Sequence, residues 1–201
     1  MRSEDDTNGH PDQQRRRLLV ATSVAGGAAV AATAVPFIAS LTPSERARAQ
    51  GAPVEADIAS LGEGEIATVE WRGQPVWILR RTPDMIERLD DIDDLLLDPA
   101  SEKPQQPPYC RNATRSIKPE VLVAVALCTH LGCVPTVRAE VAPPDLGPRW
   151  PGGFFCPCHG SKFDLAGRVY QRVPAPSNLV IPIHEYLSDT QLLIGEDDSG
   201  A

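Results

Sequence analysis

Apolar and polar positions divide the chain into three stretches with different periods. Residues 18–41 run for 24 positions without a charged side chain. As a helix rising ~1.5 Å per residue this run would be roughly 36 Å long, enough to cross a bilayer core. It is rich in Ala and Gly, and its Pro36 is tolerable in a membrane helix. Residues 1–14 are polar and are expected to be disordered. Residues 42–53 are polar, contain Pro43, Gly51 and Pro53, and read as a linker. Beyond them the pattern turns to strands. Residues 65–69 and 74–81 are rich in β-formers and flank Trp71-Arg72-Gly73, which predicts a hairpin. Thr82-Pro83 predicts a helix start, with Thr as N-cap and Pro at the first helical position. Met85, Ile86, Leu89 and Ile92 carry helical spacing through about Asp91. Residues 98–120 are Pro-rich and irregular. Residues 121–127 read as a buried strand, and 168–170, 179–184 and 191–194 as further short strands. Short, closely spaced strands with one inserted helix predict a mainly β fold, an antiparallel β-sandwich, behind one N-terminal transmembrane helix.

Charge sharpens this division. The 201 residues carry a formal net charge of −8. Residues 1–50 hold six Arg against five Asp and Glu, so the rest of the chain carries −9. An acidic globular part argues against nucleic acid, whose phosphates need a basic face. The acidic stretch 84–98 reads as a solvated face. Arg15, Arg16 and Arg17 stand before the apolar run, which keeps that end in the cytoplasm and the globular part outside. A cleaved signal peptide would have a shorter apolar region, although Ala47 and Ala49 around Arg48 imitate a cleavage site. An uncleaved anchor is the favoured reading. Arg15-Arg16-Arg17-Leu18-Leu19 also resembles a twin-arginine export signal. The organisation expected is a cytoplasmic tail over 1–17, an anchor over 18–41, a hinge over 42–53, a head over 54–196 and a disordered end over 197–201.

The chemistry lies in two boxes, Cys128-Thr129-His130-Leu131-Gly132-Cys133 and Cys156-Pro157-Cys158-His159-Gly160-Ser161. Thiolates and imidazoles are ligands for zinc or for iron–sulfur clusters. Each box offers one Cys and one His, with a Cys left over. A binuclear cluster with two Cys on one iron and two His on the other uses that set. A structural zinc site would leave the spare Cys pair unexplained, and a purely disulfide-bonded domain would not need the two His. The fifth cysteine, Cys110, reads as a buried free thiol. His184, in an apolar strand beside Pro182, reads as structural.

The two boxes resemble those of Rieske proteins, in the form found in the respiratory and photosynthetic quinol-oxidising complexes. Twin arginines, an anchor, a polar hinge, both boxes and the proline loop Val173-Pro174-Ala175-Pro176 stand in that family's order. The resemblance implies one [2Fe–2S] cluster held by Cys128, His130, Cys156 and His159, in a cluster-binding subdomain spanning about 127–176. It implies a Cys133–Cys158 disulfide joining the two loops, reasonable outside the cytoplasm. It gives Leu131 the role of shielding the cluster and Gly132 and Gly160 tight turns. It gives Ser161 a hydrogen bond to a cluster sulfide, and it puts Pro174 in the surrounding shell. At position 163 many quinol-oxidising relatives have Tyr, whose hydroxyl bonds a ligand cysteine; Phe163 has none. The implied activity is that of the electron-transfer subunit of a bacterial ubiquinol–cytochrome c reductase. Its expected partners are ubiquinol, cytochrome b and a membrane-anchored c-type cytochrome, in a dimeric complex of the inner membrane. The head would sit in the periplasm and swing on its hinge, and His159 would contact quinol and accept its proton. A plastoquinol-oxidising complex and a periplasmic oxidoreductase such as arsenite oxidase are the alternatives. Rieske ferredoxins lack the second Cys of each box and the anchor.

Overall fold

A computed structural model describes residues 13–44 and 51–197. The polar tail before Gln13, the Ala47 and Ala49 positions, part of the expected hinge and residues 198–201 lie outside the described residues. The chain forms two compact units, Met1–Arg48 and Ala49–Ala201.

In the first unit, helix α1 spans Gln13–Ser40. It begins before the apolar run because Gln and Arg are good helix formers. None of its described residues is buried; Leu18, Val30 and Phe37 are 60%, 69% and 73% exposed. A helix apolar on every side needs an apolar environment of its own. Three of its hydroxyls turn back on the backbone. The hydroxyls of Thr22, Thr33 and Ser40 donate to the carbonyls of Leu18, Val30 and Phe37 at 2.9, 2.9 and 2.7 Å, an arrangement compatible with an apolar surrounding.

The second unit is built from three antiparallel three-stranded sheets. Its strands are β1 (Val54–Asp57), β2 (Ile66–Trp71), β3 (Gln74–Arg80), β4 (Val121–Val125), β5 (Thr136–Arg138), β6 (Gly153–Cys156), β7 (Ser161–Asp164), β8 (His184–Tyr186) and β9 (Gln191–Ile194). The sheet orders are β1-β9-β8, β2-β3-β4 and β5-β6-β7. The sheet containing β4 is the middle layer. Val76, Ile78, Val121, Val123 and Val125 on one face pack with Ala56, Leu192 and Ile194 of the β1-β9-β8 sheet. Trp77, Leu79, Leu122 and Ala124 on the other face share a core with Phe154 and Phe163 of the β5-β6-β7 sheet. Trp77 stacks on Phe154 with ring centroids 4.8 Å apart. Burial of both faces explains why residues 121–125 are continuously apolar instead of alternating. The expected sandwich is present, with a third sheet on its far side.

The β2–β3 hairpin turns on Arg72 and Gly73, with φ of 53° and 72°. Two positive φ values in a two-residue loop match the twist of the flanking strands. Helix α2 (Pro83–Glu87) has the expected cap, Thr82 accepting from the Met85 N–H at 3.2 Å. It ends short of Asp91 and gives way to a 3-10 turn over Asp90–Leu95. Clustered aspartates are poor helix formers and repel a helix C-terminus. Buried Arg168 also takes the Leu89 carbonyl at 2.6 Å and the Asp93 carboxylate at 2.8 Å.

Two expected strands are corrected. Residues 168–170 form only isolated bridges, Phe163 to Val169 and Leu96 to Tyr170. Of residues 179–184 only His184 lies in a strand. Leu179 and Ile181 donate to Gly167 and Gln105, Val180 accepts from Val125, and Pro182 has no N–H, so no single neighbour runs alongside. Three buried arginines then fix the chain that leaves β7. Arg81 donates to Leu165 O, Arg115 to Ala166 O and Gly167 O, and Arg168 pairs with Asp164 at 2.7 Å. Burial lowers both Arg81 and Arg115 to about 10, so they stay charged at neutral pH.

Candidate metal centre

The first box follows β4, and the second is the turn between β6 and β7. Both fold the same way. Gly132 N–H donates to Cys128 O at 2.9 Å, and Gly160 N–H donates to Cys156 O at 2.9 Å. Their φ values are 80° and 77°. A Cβ would meet nothing within 4 Å at either glycine, so backbone conformation, not space, requires Gly there. Each turn is closed between its first residue and the one five further on. Cys128 N–H donates to Cys133 O at 2.8 Å, and Cys156 faces Ser161 across the β6–β7 ladder.

The two turns bring the sequence-predicted ligands together. Cys128 and Cys156 are buried, 3% and 2% exposed. His130 is half-buried and His159 exposed, with ring centroids 4.8 Å apart and planes at 86°. Both cysteines belong to one buried core cluster. Burial foremost pushes the Cys128 thiol up. Cys133 and Cys158 form a disulfide, with Cα atoms 6.8 Å apart. Their sulfurs and that of Cys156 lie within 4.8 Å of one another. A disulfide offers no thiolate, so these three are not a ligand set.

The donors present fit a binuclear iron–sulfur cluster. Two buried cysteines share one core cluster, and two imidazoles stand together with one reaching solvent. Two neighbouring thiolates would be costly in such a setting unless metal cations neutralised them. Soft sulfur on one side and imidazole on the other is the donor division of a Rieske centre.

The surroundings hold further groups. Leu131 at the tip of the first box is 72% exposed. Phe163 is fully buried opposite Phe154, on the same face of β7 as Ser161. In the proline loop Pro174 is exposed, and the contact with the second box is made by Ala175, whose N–H donates to Ser161 Oγ at 3.1 Å. Thr129 Oγ1 donates to Ser177 O at 2.7 Å, tying the same loop to the first box. Sequence reasoning passed over Thr129, Ala175 and Ser177, because backbone partners leave no residue-type signal. Cys110 is fully buried, and burial pushes its thiol up to about 12, which leaves it unreactive. His184 is buried with Nδ1 2.8 Å from Pro182 O, and burial lowers its pKa.

Comparison with known proteins agrees with this geometry. The family profile described as the Rieske [2Fe–2S] domain matches residues 53–186. The profile described as "Ubiquitinol-cytochrome C reductase Fe-S subunit TAT signal" matches residues 5–44. The ubiquinol–cytochrome c reductase iron–sulfur subunit of Allochromatium vinosum is 63% identical over 167 residues, covering 83% of this chain and 81% of its own. That of Blastochloris viridis is 41% identical over 171 residues, covering 84% of each. Among solved structures, a hyperthermophilic respiratory Complex III chain aligns with 85% of this chain and 98% of its own, at 25% identity and a TM-score of 0.44. A matching domain profile over residues 53–186 and the 63% identical relative lead to one conclusion: the chain belongs to the Rieske [2Fe–2S] family, among the iron–sulfur subunits of ubiquinol–cytochrome c reductases.

Proposed function

We propose that this chain is the membrane-anchored electron-transfer subunit of a bacterial ubiquinol–cytochrome c reductase, an oxidoreductase active only as a complex. The observation that carries the reading is the polarity of the centre, with Cys128 and Cys156 buried and His159 exposed at the tip. Cys128, His130, Cys156 and His159 are the ligands, and the Cys133–Cys158 bridge pins the two loops that supply them. The bound [2Fe–2S] cluster supplies a one-electron couple. His159 accepts the hydrogen bond of the ubiquinol hydroxyl on its ring nitrogen not used for the metal, and then holds the released proton there. Burial of the two cysteines keeps water from the sulfur side. Exposed Leu131 adds an apolar edge suited to a quinone site in a cytochrome b partner. A membrane-anchored c-type cytochrome is the onward acceptor, within a dimeric complex.

The apolar α1 is the anchor. The arginines before it favour a cytoplasmic N-terminus and a head in the periplasm, and residues 42–53 serve as the hinge. A soluble carrier role is disfavoured by the exposed apolar helix, which has no use in a ferredoxin. Detergent extraction and affinity purification of the full chain tests this. We expect b-type and c-type haems to co-purify, with quinol–cytochrome c reductase activity that His159→Ala removes. Purification without haem, or full activity in the His159 variant, would overturn the reading.

A further inference from the structure

Arg15, Arg16 and Arg17 stand where the polar tail meets the apolar run, and orienting the anchor asks only for their charge. Their placement on α1 is more specific than that. An open cavity of about 470 Å³ is lined, among the described residues, by Gln13, Arg16, Arg17, Val20 and Ala21. These positions follow the spacing i, i+3, i+4, i+7 and i+8, which makes one stripe along a helix of ~3.6 residues per turn. Arg15 falls on the opposite side of the helix.

The stripe is graded along its length. An amide and two guanidinium groups occupy the end toward the tail. Val20 and Ala21 occupy the end inside the apolar run, which begins at Leu18. No acidic side chain stands in the first turn of α1, and among the described residues neither Arg16 nor Arg17 forms an ion pair. Two adjacent cations without a protein counterion favour an anion between them. A guanidinium is a planar fork that matches phosphate oxygens with two parallel hydrogen bonds. The arginine stems can lie along apolar surface while their charged heads stay at the interface. A ligand that satisfies the whole stripe is therefore anionic at one end and apolar at the other. A free phosphate would leave the apolar half unused.

We propose that Gln13, Arg16 and Arg17 form a binding site for the headgroup of an anionic phospholipid, phosphatidylglycerol, whose acyl chains run along Val20 and Ala21. The phosphate diester sits between the two guanidinium groups. The Gln13 side-chain carbonyl accepts from a headgroup hydroxyl. Phosphatidylcholine would instead bring a quaternary ammonium beside two cations. Arginines that serve as an export address thus act a second time, as a lipid clamp, in an anchor that is not cleaved. This inference rests on the reading of α1 as a membrane anchor.

The test uses the full chain, purified in detergent and stripped of lipid. It is titrated with phosphatidylglycerol or phosphatidylcholine in mixed micelles, and bound lipid is counted by native mass spectrometry. Phosphatidylglycerol should be retained about tenfold more strongly, because only it leaves the anion unopposed. Arg16→Lys combined with Arg17→Lys keeps both charges and the helix, yet should lower that retention about tenfold, since an ammonium lacks the fork. Arg15→Lys, off the stripe, should change nothing. Equal retention of the two lipids would overturn the site. So would a double variant that binds like the wild type, or an Arg15 variant that loses as much, since either result leaves only diffuse attraction. Displacement of the lipid by excess inorganic phosphate would assign the arginines to a free anion and overturn the lipid assignment. Failure of the anchor reading looks different: an alkaline wash would then release the chain from membranes, whatever the lysine variants do.

Discussion

The two boxes share a backbone and differ in what they display. Each starts with a buried cysteine, closes with a left-handed glycine at the fifth position and pairs its first residue with its sixth. At the third and fourth positions the first box carries His130 and Leu131, and the second carries Cys158 and His159. Moving the histidine by one place leaves His130 half-buried and His159 exposed. The position vacated in the second box holds the cysteine that bridges to Cys133, the sixth residue of the first. The boxes are also rooted differently. The first leaves β4, buried on both faces, whereas the second caps the β6–β7 hairpin. A repeated turn thus fixes where sulfur goes, and the register within it decides which imidazole meets the outside.

If the first positions are equivalent, Cys128→Ser and Cys156→Ser should be equally severe, each abolishing the resonance signal of the reduced centre. Retention in either variant would break the equivalence. The different roots should appear next. Cys133→Ser or Cys158→Ser should cost about 2–5 kcal/mol in thermal or denaturant unfolding. Amide exchange should then rise more in residues 157–160 than in 129–132, because the hairpin turn loses its one covalent tie to the rest of the centre. Equal rises in the two segments would contradict the argument. The smallest effect probes the sixth position of the second box and its neighbour on β7. Ser161→Ala should lower the midpoint. Phe163→Tyr should raise it, since a hydroxyl bonded to a charged sulfur favours the reduced state by about 1 kcal/mol, on the order of 40 mV for one electron. A tyrosine variant with an intact cluster and an unchanged or lowered midpoint would mean that the ring does not face a ligand cysteine.

Much of this was legible beforehand because its signals are local. The Thr82 cap, the Arg72-Gly73 turn, the apolar β4 and the two boxes each declare themselves within a few residues. The missed strands fail that condition. β6 and β7 are four residues each, embedded between glycines and the second box, and they owe their pairing to a turn that looks like a metal motif. Residues 179–183 are apolar like a strand but bond to three separate segments, a fact of tertiary structure alone. The role of Ala175 was hidden for a different reason, since a backbone N–H is the same in every residue but proline.

The β1–β9 pairing has a consequence in time. Val54, just past the linker, pairs with Ile194, almost at the end of the described chain. Contacts so distant in sequence form late, because the loop between them must close before they contribute. A chain still emerging from the ribosome therefore has both boxes before it has the strand that closes the outer sheet. The head can complete its fold only once residues 191–194 are free to pair, and a truncation that removed them would leave β1 and β8 without the strand between them.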